Sequence, residues 1–353
     1  MVKELKILLI GHGTVGKMHE LKFCESGHKL FFVDLHQKVE KNKVLDKKTV
    51  YFQSLSSICS DFFKSIDVFD VCVPTTSHLK VLQEIARQNS SARVLLEKPI
   101  CDVAELEEMK LFLREEPSIK IYVNSPYRYA FPLLKLLKFT EKFLSKGKKL
   151  RSINIEFSKN RTFDECNGRF VDPQGAIGYE FFHILEILSM ILSQKSIDVP
   201  FFQRCLKDCK INKDYFDIKL RSDDIDIRLS SSMNGNIFLN NNDYISKYGI
   251  PFFPMSKHMR YRIVEVVFDS QEKLVILFDP LHINALYYND IHFLMKYNRE
   301  GKSVYHVHSD HLKTSLEEGL SSLFSTDTKQ IIRLKNYLHK YLEYEEIINA
   351  LCS

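Results

Sequence analysis

Leu5-Lys6-Ile7-Leu8-Leu9-Ile10-Gly11-His12-Gly13-Thr14-Val15-Gly16 joins two signals in one stretch. A nearly continuous apolar run ends at Ile10, as a strand buried on both faces of a parallel sheet should. A G-x-G-x-x-G turn follows and opens a helix-compatible segment, about Val15 to Ser26. In that setting Gly11 permits the tight turn, Gly13 lets backbone approach a pyrophosphate, and Gly16 lets the helix pack closely on the strand. Thr14 and Val15, in the first helical turn, would offer free N–H groups and a positive dipole end to the phosphates. Three of the chain's 12 glycines fall in this one turn. A purely structural glycine turn is the rival reading; the strand before it and Asp34 after it weigh against that.

Working outward, Leu30–Val33 reads as a second strand that ends at Asp34. A carboxylate there can accept from the adenosine ribose hydroxyls and would repel a 2′-phosphate, so NAD is expected and NADP less so. His36 and Lys38 weaken that preference. Strands at Val68–Val73, Val94–Leu96 and Ile119–Val123 alternate with helical patterns, which implies βαβ units and a doubly wound parallel sheet. After about residue 124 the pattern changes. Phe131–Phe143 and Gly178–Leu192 read as helices. Short β runs then dominate, at Ser152–Phe157, Asp217–Leu220, Asp226–Ser230, Asn236–Leu239, Tyr261–Phe268, Leu274–Leu277 and Ser303–Val307, before a terminal helix over Thr328–Ala350. The expected fold class is α/β. A Rossmann domain spans 1–123, and an α+β domain with an open, mostly antiparallel sheet spans 124–353.

The 353 residues carry 50 Lys and Arg against 45 Asp and Glu, a mild +5 with no block of five like charges. Nucleic-acid binding therefore has no electrostatic support. The densest apolar run, Phe181–Leu192, is 12 residues long and contains His183 and Glu186, short of the roughly 18 a membrane span needs. No secretory leader is visible, and the eight scattered cysteines read as thiols in a reducing cytosol. The expected location is the cytoplasm. His306, His308, Asp310 and His311 resemble a ligand cluster, but no third-ligand spacing is diagnostic, and no metal is expected.

Three further motifs stand out. Glu97-Lys98-Pro99 follows a strand, where open α/β sheets bind ligands; a surface-loop lysine is the plain alternative. Tyr127-Arg128-Tyr129 can floor a sugar pocket or can be interdomain packing. Arg161 can clamp an acidic substrate or lie on the surface.

In this order the pieces resemble the Gfo/Idh/MocA family of nicotinamide-dependent sugar and cyclitol oxidoreductases. The resemblance runs through Gly11-x-Gly13-x-x-Gly16-x-x-His19, then Val71-Cys72-Val73-Pro74-Thr75-Thr76-Ser77-His78 and Glu97-Lys98-Pro99. It continues in Tyr127-Arg128-Tyr129-Ala130-Phe131-Pro132 and, more faintly, from Asp172-Pro173-x-Gly175-Ala176 to His183. It implies hydride transfer between nicotinamide and a ring carbon of a sugar, cyclitol or derivative. Pro74, Thr75, His78, Glu97 and Lys98 would join the glycine turn and Asp34 in holding the cofactor. Lys98 would hydrogen-bond the reacting hydroxyl, with a cis bond to Pro99, and His183 would be the general acid/base. Tyr127, Arg128, Arg161, Tyr179 and Glu180 would face a polyol or sugar-derived substrate. A homodimer or homotetramer is implied.

One departure matters. The family usually carries Asp one helical turn before the histidine, and here that position is Tyr179. A phenol can hydrogen-bond but cannot balance an imidazolium charge at neutral pH. Glu180 or Glu186 could partly substitute, and Tyr179 itself could assist the proton relay. Two other readings stay open: a catalytically weakened, cofactor-binding regulatory protein, and a biliverdin-reductase-like reductase.

Overall fold

The computed structural model describes residues 4–34, 50–161, 166, 174–193, 195–239, 260–278 and 291–352. His36, Lys38, Asp172 and Pro173 lie outside them. The chain forms two compact units, Met1–Pro126 with Leu312–Asn349, and Tyr127–His311 with Ala350–Ser353.

The first unit is built on six parallel strands: β1 (Lys6–Ile10), β2 (Lys29–Val33), β3 (Val50–Phe52), β4 (Val68–Val71), β5 (Arg93–Leu96) and β6 (Lys120–Val123). Their order is β3-β2-β1-β4-β5-β6. Ile7 pairs with Leu30 on one side and with Val68 on the other. Ile7, Leu8 and Leu9 have no exposed surface, which is why β1 reads as an unbroken apolar run. The order reverses at β1, so a crevice opens beyond the carboxyl ends of β1 and β4. Helices α1 (Thr14–Glu25), α2 (Ser60–Lys64), α3 (His78–Gln88) and α4 (Leu106–Glu115) link the strands.

Two late helices complete this unit, unlike the division expected from the sequence. The segment Leu312–Asn349 packs here although it follows every strand of the second sheet. Gly319 lies so close to Leu95 and Tyr122 that a Cβ would sit 2.6–2.9 Å from them. The Tyr122 and Tyr337 rings are 5.7 Å apart, and Glu345 accepts from the Ile100 N–H at 3.0 Å. These packing surfaces carry no mark in local sequence that assigns them to one sheet over the other.

The second unit holds β7 (Leu150–Lys159), β8 (Leu206–Ile211), β9 (Tyr215–Ser222), β10 (Ile225–Ser232), β11 (Arg260–Phe268), β12 (Lys273–Phe278), β13 (Ile291–Asn298) and β14 (Gly301–His308). The order is β14-β13-β12-β11-β7-β10-β9-β8, antiparallel except for β7 with β10. Tyr261, Ile263, Val275, Leu277, Phe293 and Met295 form one buried cluster on it. Helix α5 (Phe131–Leu144) packs on β12 and β13, and α6 (Ala176–Ile191) on β7, β9 and β10. Among the described residues no helix is long and apolar enough to cross a membrane.

Asn236–Leu239 is not the strand its composition predicts. The N–H groups of Phe238 and Leu239 donate to the Glu156 carboxylate at 3.1 and 2.7 Å instead of to a neighbouring strand. Burial pushes the Glu156 carboxyl up to about 7, although Ser158, these N–H groups and Arg228 oppose it. A folded acid with a raised pKa contributes stability below its unfolded pKa, and this contribution is lost as pH rises through about 7. Between about pH 5 and pH 8.5 the wild-type melting temperature should fall by roughly 5 °C more than that of Glu156→Gln. Thermal melts by circular dichroism check this; parallel slopes would remove Glu156 as the cause.

Candidate functional site

In the first unit each glycine of the turn has a separate task. Gly11 has φ +92°, and a Cβ there would lie 2.8 Å from the Val73 N and 2.9 Å from the Cys72 carbonyl, at the end of β4. The Gly11 N–H donates to the Val33 carbonyl at 2.8 Å, tying the turn to β2. Among the described residues beyond its chain neighbours, nothing lies within 4 Å of where a Cβ on Gly13 would sit, so the described residues leave that side of the backbone open to a ligand. A Cβ on Gly16 would sit 2.2 Å from the Gly11 carbonyl oxygen, so this glycine sets how closely α1 approaches the turn. Gly13 caps α1 without a side-chain hydrogen bond, and no acid stands in the first turn. Thr14 is exposed and Val15 half-buried, and the helix start keeps N–H donors for an anion.

The Asp34 carboxylate accepts from the His12 N–H at 2.7 Å. The acid expected to meet a ribose therefore stands against the glycine turn. The His12 ring is turned toward Glu20 at 2.7 Å and packs on Phe32. Together the open Gly13, the uncapped helix start and Asp34 fit a dinucleotide.

Beyond β4, Pro74 is exposed and Thr75 half-buried. His78 is 1% exposed. Its Nδ1 lies 2.8 Å from the Pro99 carbonyl and its Nε2 3.0 Å from the Val73 carbonyl. Burial holds this ring below the usual histidine range, against the pull of those carbonyls. His78 thus ties two loops together. The Lys98–Pro99 bond is cis. Lys98 is half-buried, while its neighbour Glu97 turns to His19 at 3.1 Å and to Asn124 at 2.5 Å.

In the second unit, Gly175 starts α6 with φ +64° and ψ −138°. The Ala176 N–H donates to the Lys213 carbonyl at 3.0 Å, so that carbonyl holds the helix start. Within α6 only Tyr179, His183 and Met190 escape burial. Tyr179 and His183 are one turn apart on one face. The Arg161 guanidinium lies over the Tyr179 ring at 3.9 Å.

Tyr127 is 3% exposed. Its ring centroid is 4.8 Å from His183, 4.9 Å from Phe157 and 5.0 Å from both Phe278 and His311. Its hydroxyl accepts from Arg262. Tyr127 is therefore a packing centre behind the histidine. Arg128 is paired with the fully buried Glu186 at 2.6 Å. Glu180 is paired with Arg161 at 2.7 Å and lies 3.4 Å from Arg262. Both carboxylates expected to substitute for the missing aspartate are thus bound to arginines. Arg262 went unnoticed in the sequence, and His311 was weighed there only as a metal ligand. Arg262 carried one signal, a charge near the start of the apolar run Tyr261–Phe268 that calls for a partner.

Residues 5–125 match the family described as "Oxidoreductase family, NAD-binding Rossmann fold". No curated protein sequence matches the chain. Among solved structures, a 3-ketoreductase from Actinomadura kijaniata in complex with NADP and TDP-benzene superposes with a TM-score of 0.65. It has 11% identity over 99% of this chain and 97% of that one. UDP-N-acetylglucosamine 3-dehydrogenase from Acidithiobacillus ferrooxidans gives 0.62, at 13% identity and full coverage of both chains. The WlbA (WbpB) dehydrogenase from Thermus thermophilus, in complex with NAD and UDP-GlcNAcA, gives 0.59 at 13% identity over 99% and 95% of the two chains. Through its glycine turn and six-stranded parallel sheet, the first unit carries an NAD-binding Rossmann fold that matches the Gfo/Idh/MocA oxidoreductase family over residues 5–125.

Proposed function

We propose that the protein moves a hydride between NAD(P) and a ring carbon of a sugar, a cyclitol or a derivative of one, with NAD preferred. The observation that carries this reading is the single open face of α6. A helix buried almost all round keeps His183 and Tyr179 together on its only accessible stripe. A buried helix spends accessibility in this way where a side chain has to meet something that comes and goes. The named activities of the 3-ketoreductase and the UDP-sugar dehydrogenase support a sugar-derived substrate. Asp34, held at the glycine turn, supports NAD over NADP.

When bound, the cofactor supplies the hydride acceptor or donor at nicotinamide C4. The remaining work belongs to the chain. The open Gly13 backbone and the α1 N–H groups bind the pyrophosphate. Lys98 holds the reacting hydroxyl by a charge-assisted hydrogen bond. The His183 imidazole takes the hydroxyl proton, or returns it in the reverse direction. Tyr179 orients that imidazole or a substrate hydroxyl by hydrogen bonding, without a charge. The same reading has the protein acting in the cytoplasm as a homodimer or homotetramer.

Lys98→Ala should lower turnover by about 10²–10⁴-fold on a panel of polyols and nucleotide sugars, with NAD affinity within about threefold of wild type. Absorbance at the reduced-nicotinamide band reads the first, and calorimetric titration the second. Tyr179 in the aspartate position favours one rival, a protein that binds the cofactor without turnover. Tight NAD binding with no reduction across the panel would decide for that rival.

A further inference from the structure

Glu345 lies in the terminal helix Thr328–Cys352 and has no exposed surface. It is the one charged residue among those buried on that helix, whose other buried side chains are leucine, isoleucine and tyrosine. A carboxylate in such a stripe costs stability unless donors meet it, and a leucine would fill the same space without that cost. Packing therefore does not account for an acid here. One donor that meets it comes from 245 residues away, the Ile100 N–H at 3.0 Å from Oε1.

That N–H belongs to the peptide group whose carbonyl is that of Pro99. The carbonyl lies 2.8 Å from His78 Nδ1, on a ring that is 1% exposed. One peptide plane is thus held at both edges by buried side chains, one from the start of α3 and one from the terminal helix. Holding the plane fixes ψ at Pro99 and φ at Ile100, and the pyrrolidine ring already fixes φ at Pro99. On the other side of Lys98 the chain is anchored too. The Glu97 N–H donates to the Val71 carbonyl at 3.2 Å. Its carboxylate accepts from the Asn124 amide at 2.5 Å and lies 3.1 Å from His19, whose other ring nitrogen is 2.9 Å from Asp70. Lys98 stands between these two anchored ends, and all of these residues belong to the first unit.

We propose that Glu345 is a positioning residue for hydride transfer: by gripping the Pro99–Ile100 peptide opposite His78, it sets where Lys98 stands. The terminal helix then serves the reaction without touching a reactant. The weight of this for turnover rests on the role given to Lys98 above; the placement of Lys98 by Glu345 does not.

Lys98 is read directly by competitive labelling with acetic anhydride across a pH series, followed by mass spectrometry of its peptide. Glu345→Leu fills the space without an acceptor, and Glu345→Gln keeps an oxygen for the Ile100 N–H. Labelling of Lys98 near pH 8 should change by at least about threefold in Glu345→Leu and return to within about 1.5-fold of wild type in Glu345→Gln. Protection of the Ile100 amide from hydrogen exchange should fall by at least about tenfold in Glu345→Leu alone. On any substrate of the panel that turns over, Glu345→Leu should lose about 10–100-fold in turnover with NAD affinity kept, and Glu345→Gln should recover most of it. Absence of turnover in the wild type counts against the function proposed above, while the labelling still decides the placement. Should Glu345→Leu not fold, Glu345→Asp keeps the acid and withdraws the acceptor by about 1.5 Å, and Lys98 labelling should then change by at least about twofold. Labelling within about 1.5-fold of wild type in whichever of these two variants is used, or shifted equally by Glu345→Leu and Glu345→Gln, overturns the proposal.

Discussion

Gly11→Ala is expected to abolish NAD binding and to destabilise the first unit by ~2–6 kcal/mol. Two effects add. The backbone at φ +92° is one that a residue with a Cβ adopts at a cost. The new methyl would also lie 2.8–2.9 Å from backbone atoms of Cys72 and Val73. Those atoms cannot retreat, because the Cys72 N–H donates to the Ile10 carbonyl at 2.8 Å and β4 is hydrogen-bonded between β1 and β5. The turn must move, and with it the Gly13 backbone and the His12 N–H that holds Asp34. Gly13→Ala is the matched control, since no described residue beyond its chain neighbours lies within 4 Å of its Cβ. It should melt like wild type while losing at least about tenfold in NAD affinity, because the methyl occupies the approach path of the pyrophosphate. Calorimetric titration and thermal melts on the two variants test this. Wild-type affinity in Gly11→Ala would remove the turn from the binding site.

Gly175→Ala should give the opposite pattern, with turnover lost by about 100-fold or more and NAD affinity kept. Its φ of +64° and ψ of −138° lie where only glycine is comfortable. A Cβ there would sit 2.1 Å from the Lys213 carbonyl oxygen, the same atom that accepts from Ala176 to begin α6. The helix cannot keep its start and admit the methyl together, so its first turn, Tyr179 and His183 shift. No residue of the first unit takes part in that contact. A single-turnover assay beside an NAD titration separates the two effects. Unimpaired turnover would show that His183 is not held by this start.

The first sheet was legible because parallel strands covered on both faces leave continuous apolar runs, and because glycines that admit close backbone have a fixed spacing. The short strand Val50–Phe52 was missed; it follows a charged stretch and shows no periodicity of its own. Leu206–Ile211 and Ile291–Asn298 were missed for a related reason. Lys207, Lys210, His292 and Lys296 interrupt alternation that only a neighbouring strand makes regular. At the site, Tyr179 and His183 could be paired from spacing alone. The engagement of Glu180 and Glu186 by Arg161 and Arg128 could not, since each pair joins separate elements. The carboxylate of Asp70 inside Val68-Phe69-Asp70-Val71 was a clue in plain view, because a charge in a buried strand requires a partner.

The assignment of Leu312–Asn349 to the first unit bears on the order of events at the ribosome. Synthesis makes the glycine turn before the second sheet, yet the helices that cover Leu95 and Tyr122 emerge only after that whole sheet. The nascent first unit therefore waits with apolar surface uncovered while an entire second unit is translated and folds. Translation terminated anywhere before Leu312 would leave that surface bare, and such products would be substrates for chaperones and proteases even with the dinucleotide turn intact.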